Sequence, residues 1–181
     1  LNFIDGTDLG ELPTTGISGG THALSDIEGS ENGMLLGCNM TTSTGTANFK
    51  VYKWENETTD PVVYIDYSSS SNLRLGDKFT LQGDISKNAV ILAAAYNGSK
   101  VVRWLVVNGV LQTPTEITLP AAMGTAPCAT ATGTNADSDL IVNSQGKNII
   151  LYSSTGVNKG SLSNTIIDVD SNSTKYFELN G

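Results

Sequence analysis

Cationic side chains are scarce in this sequence. Ten Lys and Arg stand against eighteen Asp and Glu, a formal charge of −8. A phosphate backbone is gripped by cations that displace its counterions, so the balance speaks against nucleic acid as a partner. It speaks equally against an anionic membrane surface. Long apolar runs are missing too: no stretch approaches the 18 consecutive apolar residues of a membrane-spanning helix. Cysteine is limited to Cys38 and Cys128, with no CxxC spacing and no neighbouring histidine, so metal binding through thiolates is not expected. Two buried thiols are the expectation, with a disulfide as the alternative. The lone histidine, His22, has no GxSxG elbow elsewhere in the chain to serve. It is expected to be a hydrogen-bonded structural residue. The opening "LNFIDGTDLGELP" reads as domain sequence, not as a leader.

Helical periodicity is the next absence. No segment keeps apolar residues at i, i+3, i+4 and i+7, while Gly, Ser, Thr and Asn separate short runs of β-branched and aromatic residues. The chain therefore reads as all-β. Twelve runs are expected as strands: Thr21–Glu28, Gly33–Met40, Phe49–Trp54 and Val62–Tyr67; Lys78–Gly83, Ala89–Tyr96, Lys100–Val106 and Thr115–Pro120; Cys128–Thr134, Asp139–Gln145, Asn148–Ser154 and Lys159–Ile166. They form three groups of four, and the third strand of each carries an aromatic at one place. These markers are Trp54, Trp104 and Tyr152, spaced 50 and 48 residues apart. Four strands per unit of 40–50 residues is the signature of β-propeller blades, because one such sheet cannot bury both faces alone. The expected fold is thus β-propeller-like repeats of four-stranded antiparallel sheets, at approximately 20–67, 76–120 and 127–167, in one domain spanning 1–181. A β-sandwich is the alternative. Leu1–Asp5 and Thr174–Gly181 read as part-blades, which suggests a piece of a longer chain or association of copies. Asn97–Gly98 and Gly146 are expected in hairpin turns.

Two stretches of the first 110 residues resemble a known group of proteins. "YKWEN" with a later proline (Tyr52, Lys53, Trp54, Glu55, Asn56 and Pro61) is followed by "RLGDKFTLQG" (Arg74, Gly76, Asp77, Lys78, Phe79 and Gly83). This resembles β-propeller-like repeat domains of unknown function in secreted or lipid-anchored surface proteins of Bacteroidetes. The resemblance implies an extracellular, outer-membrane-anchored or periplasmic location and a link to polysaccharide capture. It supplies no catalytic residues.

The residues themselves offer few reactive arrangements. Asp26, Glu28, Asp77, Asp84 and Asp137 lie near strand ends or turns, and no spacing singles out the pair that glycoside hydrolysis needs. "DVDSNST" sets Asp168, Asp170 and Asn172 in alternation, as a calcium loop does, but Ser173 and Leu179 stand where an EF-hand needs Gly and Glu. "NADSD" offers Asn135, Asp137 and Asp139 in the same manner. Sugar binding would use exposed aromatics beside amides, for which Tyr64, Tyr67, Tyr96 and Asn97 are the candidates, with Tyr176, Asn56 and Asn72 further possibilities. Lys53 and Arg103 are expected to be solvated cations opposite the marker tryptophans. No cofactor is expected. The functional expectation is a non-enzymatic bacterial surface module binding a glycan or protein through blade-end loops. The alternatives are a structural or assembly domain and a polysaccharide hydrolase.

Overall fold

The computed structural model describes residues 10–162, apart from 43, 45, 46, 126 and 144–148. Outside the described residues lie the two expected end strands, the loop candidates Asp168, Asp170 and Asn172, Tyr176, and the Gly146 turn. Among the described residues there are strands and no helix. The first sheet is β1 (His22–Gly29), β2 (Leu35–Met40), β3 (Phe49–Trp54) and β4 (Val62–Tyr67), paired in that order. The second holds β5 (Phe79–Gly83), β6 (Ala89–Ala94) and β7 (Lys100–Val107), whose outer edge is shared by β8 (Val110–Leu111) and β9 (Thr115–Thr118). The third is β10 (Cys128–Ala131), β11 (Leu140–Asn143), β12 (Ile149–Tyr152) and β13 (Asn158–Leu162). All pairings are antiparallel, and each group of four expected strands folds as one sheet.

The sheets stack face to face in chain order, an open sandwich-like arrangement with two cores. Between the first and second sheets lie Leu36, Cys38, Phe49, Val51 and Ile65, meeting Phe79, Ile91, Ala93, Val102 and Trp104. Between the second and third lie Val90, Leu92, Ala94, Val101 and Ile117, meeting Ala129, Ala131, Leu140, Val142 and Tyr152. Successive residues of a strand point to opposite faces, so β6, which serves both cores, must be apolar at every position. Its sequence AVILAA is buried throughout.

Register fixes the direction of the aromatic markers. Trp104 pairs with Ile91 and faces back onto the first sheet, where its ring lies 5.6 Å from Phe49 and edge-on to Tyr67 at 5.3 Å. Tyr152 pairs with Leu140 and faces back onto the second sheet. Trp54 pairs with Leu35 on the face turned away from the second sheet, where residues 13–18 cover it. Its indole N–H donates to the Pro13 carbonyl at 2.8 Å, and Tyr52 exchanges hydrogen bonds with the backbone of Ser18. Gly37 permits this, since a Cβ there would sit 2.9 Å from the Trp54 ring. Trp104 and Tyr152 therefore turn toward the sheet before them, and Trp54 toward residues 13–18 on the equivalent face. Lys53 and Arg103 point the other way, and neither is simply solvated: Lys53 pairs with Glu55 at 3.1 Å, and Arg103 is bound more firmly. Its guanidinium donates to the carbonyls of Ala136 in the β10–β11 loop and Ser154 in the β12–β13 turn of the third sheet.

The "RLGDKF" stretch is the joint between the first two sheets. Asp77 pairs with Arg74 at 2.6 Å, Lys78 pairs with Asp26 at 3.1 Å, and the Phe79 N–H donates to the same Asp26 carboxylate. Gly76 has a φ of +91°, and a Cβ would stand 1.9 Å from the Asn39 carbonyl oxygen. Only glycine fits there. Turns differ from expectation in one respect. The two-residue Asn-Gly hairpin is Asn108–Gly109, with φ of 51° and 77°, and it creates β8. Asn97–Gly98 instead sits within a longer loop that Ala95 and Lys100 close through a 2.9 Å backbone bond. Cys38 and Cys128 are buried and form no disulfide. Burial, above all, pushes the Cys38 thiol up to about 12.

Candidate functional site

Residues 67–77, which leave the first sheet, lie along the β6–β7 loop and the β7–β9 edge of the second. The Tyr96 N–H donates to the Arg74 carbonyl at 3.0 Å, and Lys100 Nζ donates to Ser71 Oγ at 3.1 Å. This seam gathers Tyr67, Tyr96 and Asn97 from two sheets. Tyr64 stands apart from them: its ring packs at the margin of the first core beneath Lys53 Nζ, 5.8 Å from the ring centre. Its hydroxyl is buried without a partner among the described residues, and burial raises its pKa.

Tyr67 is tied into the seam. Its hydroxyl donates to Glu116 Oε1 at 2.6 Å, Ser69 Oγ donates to the same oxygen, and Lys100 donates to Oε2. Burial and the Glu116 carboxylate push the Tyr67 phenol up to about 12, so it stays a donor at neutral pH. Glu116 moves the opposite way. The Lys100 hydrogen bond first, then Tyr67, holds it below the usual carboxylate range. Lys100 and Glu116 lie diagonally across β7 and β9, within reach on one face. Acid, base and phenol satisfy one another here, leaving no nucleophile poised for reaction.

Tyr96 and Asn97 present a different surface. The Arg74 guanidinium lies 3.8 Å from the centre of the Tyr96 ring, a cation–π stack anchored by Asp77. Arg74 Nε and Asp77 Oδ2 are buried beside it without partners among the described residues. Asn97 and Asn72 are exposed, both in the left-handed conformation that asparagine tolerates, at φ 51°. A half-buried aromatic ring offers an apolar face, with one exposed asparagine next to Tyr96 in the chain and another two residues before Arg74.

Of the carboxylates considered for hydrolysis, Asp77 lies in this seam as the partner of Arg74, and the others, like the loop candidate Asp139, stand elsewhere, Glu28 on β1. Asp26 holds Lys78 and the Phe79 N–H. Asp84 caps the β5–β6 turn by accepting from the Ser86 hydroxyl and N–H, bonds that lower its pKa. Asp139 pairs with Lys159, whereas Asp137 is exposed. His22 is exposed at the start of β1. Among the described residues no group of three His, Cys, Asp or Glu side chains could hold a metal ion. No described helix is long and apolar enough to cross a membrane. Sequence reasoning missed Lys100 and Glu116, whose meeting depends on the β7–β9 register.

The fold has a counterpart among solved structures. A DUF4623 family protein from Bacteroides eggerthii DSM 20697 superposes with a TM-score of 0.67 at 17% identity, over 82% of this chain. The match takes in 34% of that chain, so this sequence spans about a third of its length. At that identity the likeness speaks for the fold alone. No curated protein matches the sequence. A family model does match, across residues 4–175, and the chain belongs to that family, the domain of unknown function DUF8500.

Proposed function

We propose that this chain is a non-enzymatic binding module, a run of β-propeller blades within a secreted or surface-anchored bacterial protein, and that it holds a neutral glycan at the Tyr96 end of its sheets. The observation that carries the reading is the Arg74–Tyr96 stack, with exposed Asn97 adjoining Tyr96 and exposed Asn72 two residues from Arg74 in the chain. An aromatic ring held rigid by a guanidinium loses little entropy when a sugar's apolar face is laid on it. The neighbouring amides suit hydroxyl groups. A net charge of −8 disfavours acidic polysaccharides, which leaves neutral glycans as the class. The propeller reading draws support from the stacking order, in which the second and third sheets turn the same face to the sheet before them. The test is affinity gel electrophoresis against a panel of neutral polysaccharides. Retardation by at least one, weakened about tenfold or more in Tyr96→Ala with an unchanged melting temperature, is expected. Equal retardation of Tyr96→Ala and the parent, or none on any glycan, rejects the site.

A second reading, assembly by open sheet faces, is favoured by the apolar forward face of the third sheet. Ile141, Ile149 and Leu151 line it as a groove of about 380 Å³.

A further inference from the structure

Every sheet has a backward face, which carries the aromatic marker, and a forward face. On the first sheet the forward face is Leu36, Cys38, Phe49, Val51 and Ile65, buried beneath the second sheet. On the second it is Val90, Leu92, Ala94, Val101 and Ile117, buried beneath the third. On the third it is Ile141, Ile149 and Leu151, which are half-buried and line the groove with Lys159, Gly160 and Ser161. Among the described residues no fourth sheet lies across it. An apolar sheet face of this kind is stable only when another layer covers it.

The sequence carries a matching piece. Phe79–Gly83, the strand β5 that opens the second sheet, reads FTLQG; Phe177–Gly181 reads FELNG, 98 residues later. Trp54 and Tyr152, two repeats apart, are separated by the same 98 residues. The spacing from sheet to sheet is comparable. Eleven residues, 68–78, join β4 to β5, and nine, 119–127, join β9 to β10; fourteen, 163–176, separate the end of β13 from Phe177. In β5 the two apolar residues of the pattern, Phe79 and Leu81, face back into the core they share with the first sheet's forward face.

We propose that the Ile141–Ile149–Leu151 face is the seat of a fourth sheet of the same repeat, and that Phe177–Gly181 of the same chain supplies its first strand, with Phe177 and Leu179 over the groove. The inference rests on the repeat-stacking part of the proposed function and not on the glycan site. Residues 177–181 lie outside the described ones, and only their sequence enters the argument.

The experiment is peptide-resolved maleimide labelling of Leu151→Cys, and separately of Ile149→Cys, in the full chain. Each is compared with the same variant carrying Phe177→Asp and Leu179→Asp. The expected result is labelling at least about tenfold slower with Phe177 and Leu179 intact, at all protein concentrations, since a docked strand must open before the thiol reacts. Equal rates overturn the proposal. Protection that vanishes on dilution, with a dimer mass by light scattering, also overturns it and assigns the face to a second copy. Far-UV circular dichroism confirms that each variant folds, and the second cysteine position serves if one does not. Retardation by a glycan, measured on the same proteins, separates failure of the docking from failure of the binding reading.

Discussion

Trp104→Ala is the sharpest test of the stacked-sheet architecture. The indole is 2% exposed and lies between the first two sheets, with Phe49 tilted against it and Tyr67 edge-on. Truncation removes the largest side chain in that core. It leaves a cavity bordered by β3, β4 and β6, whose backbones are held by ladder hydrogen bonds and resist collapse. Large-to-small changes of this kind cost about 3–5 kcal/mol. With a urea slope of about 2 kcal/mol per molar, the midpoint falls by about 1.5–2.5 M. Far-UV circular dichroism follows the sheets, and Trp54, then the sole tryptophan, reports on the first sheet by fluorescence. Val110→Ala, at a side chain 60% exposed, provides the comparison, with an expected change within about 0.5 kcal/mol. A midpoint drop for Trp104→Ala no larger than that of Val110→Ala would refute the wedge between sheets.

Two further outcomes are expected. Glu116 is ionised more readily in the folded chain than unfolded, so its contribution is present above its ordinary pKa of 4.5 and is lost as pH falls through the lower folded value. The urea midpoint of the parent should therefore exceed that of Glu116→Gln near neutrality, and the gap should close on acidification; a gap independent of pH tells against the Lys100–Glu116–Tyr67 linkage. Gly76→Ala should destabilise far more than Gly33→Ala. Both have positive φ, at 91° and 86°, but only the Gly76 methyl meets a backbone oxygen, so equal thermal shifts would count against the tight joint.

Much of this architecture was readable from residue order. Phe49–Trp54 and Val62–Tyr67 are strands with the expected bounds, because Gly, Asn and Pro punctuate a clean β-rich run on each side. Trp54, Trp104 and Tyr152 each lie on the face turned away from the sheet that follows or from the third sheet's groove. What eluded the sequence depended on distant partners. Arg103 resembles an exposed cation until Ala136 and Ser154, 33 and 51 residues away, bring their carbonyls to it. Tyr67 resembles a free ring until register places Glu116 at its hydroxyl. The β8 hairpin was missed for a different reason. The signal "VVNGVL" is present, but a two-residue strand is too short to stand out between longer ones.

The joints between sheets also set how the chain can fold. Ser25 reaches the Gly76 carbonyl across 51 residues, Asp26 the Phe79 N–H across 53, and Ser30 the Ile85 N–H across 55. One sheet later, Thr80 reaches Ala129 across 49 and Arg103 reaches Ser154 across 51. Loop-closure entropy depends on the logarithm of that separation, so each docking step carries nearly the same entropic barrier. The chain thus behaves as a one-dimensional array with nearest-neighbour coupling. A nascent chain can begin to dock its first sheet pair once about two repeats have emerged, and damage in the third sheet uncovers the apolar forward face of the second.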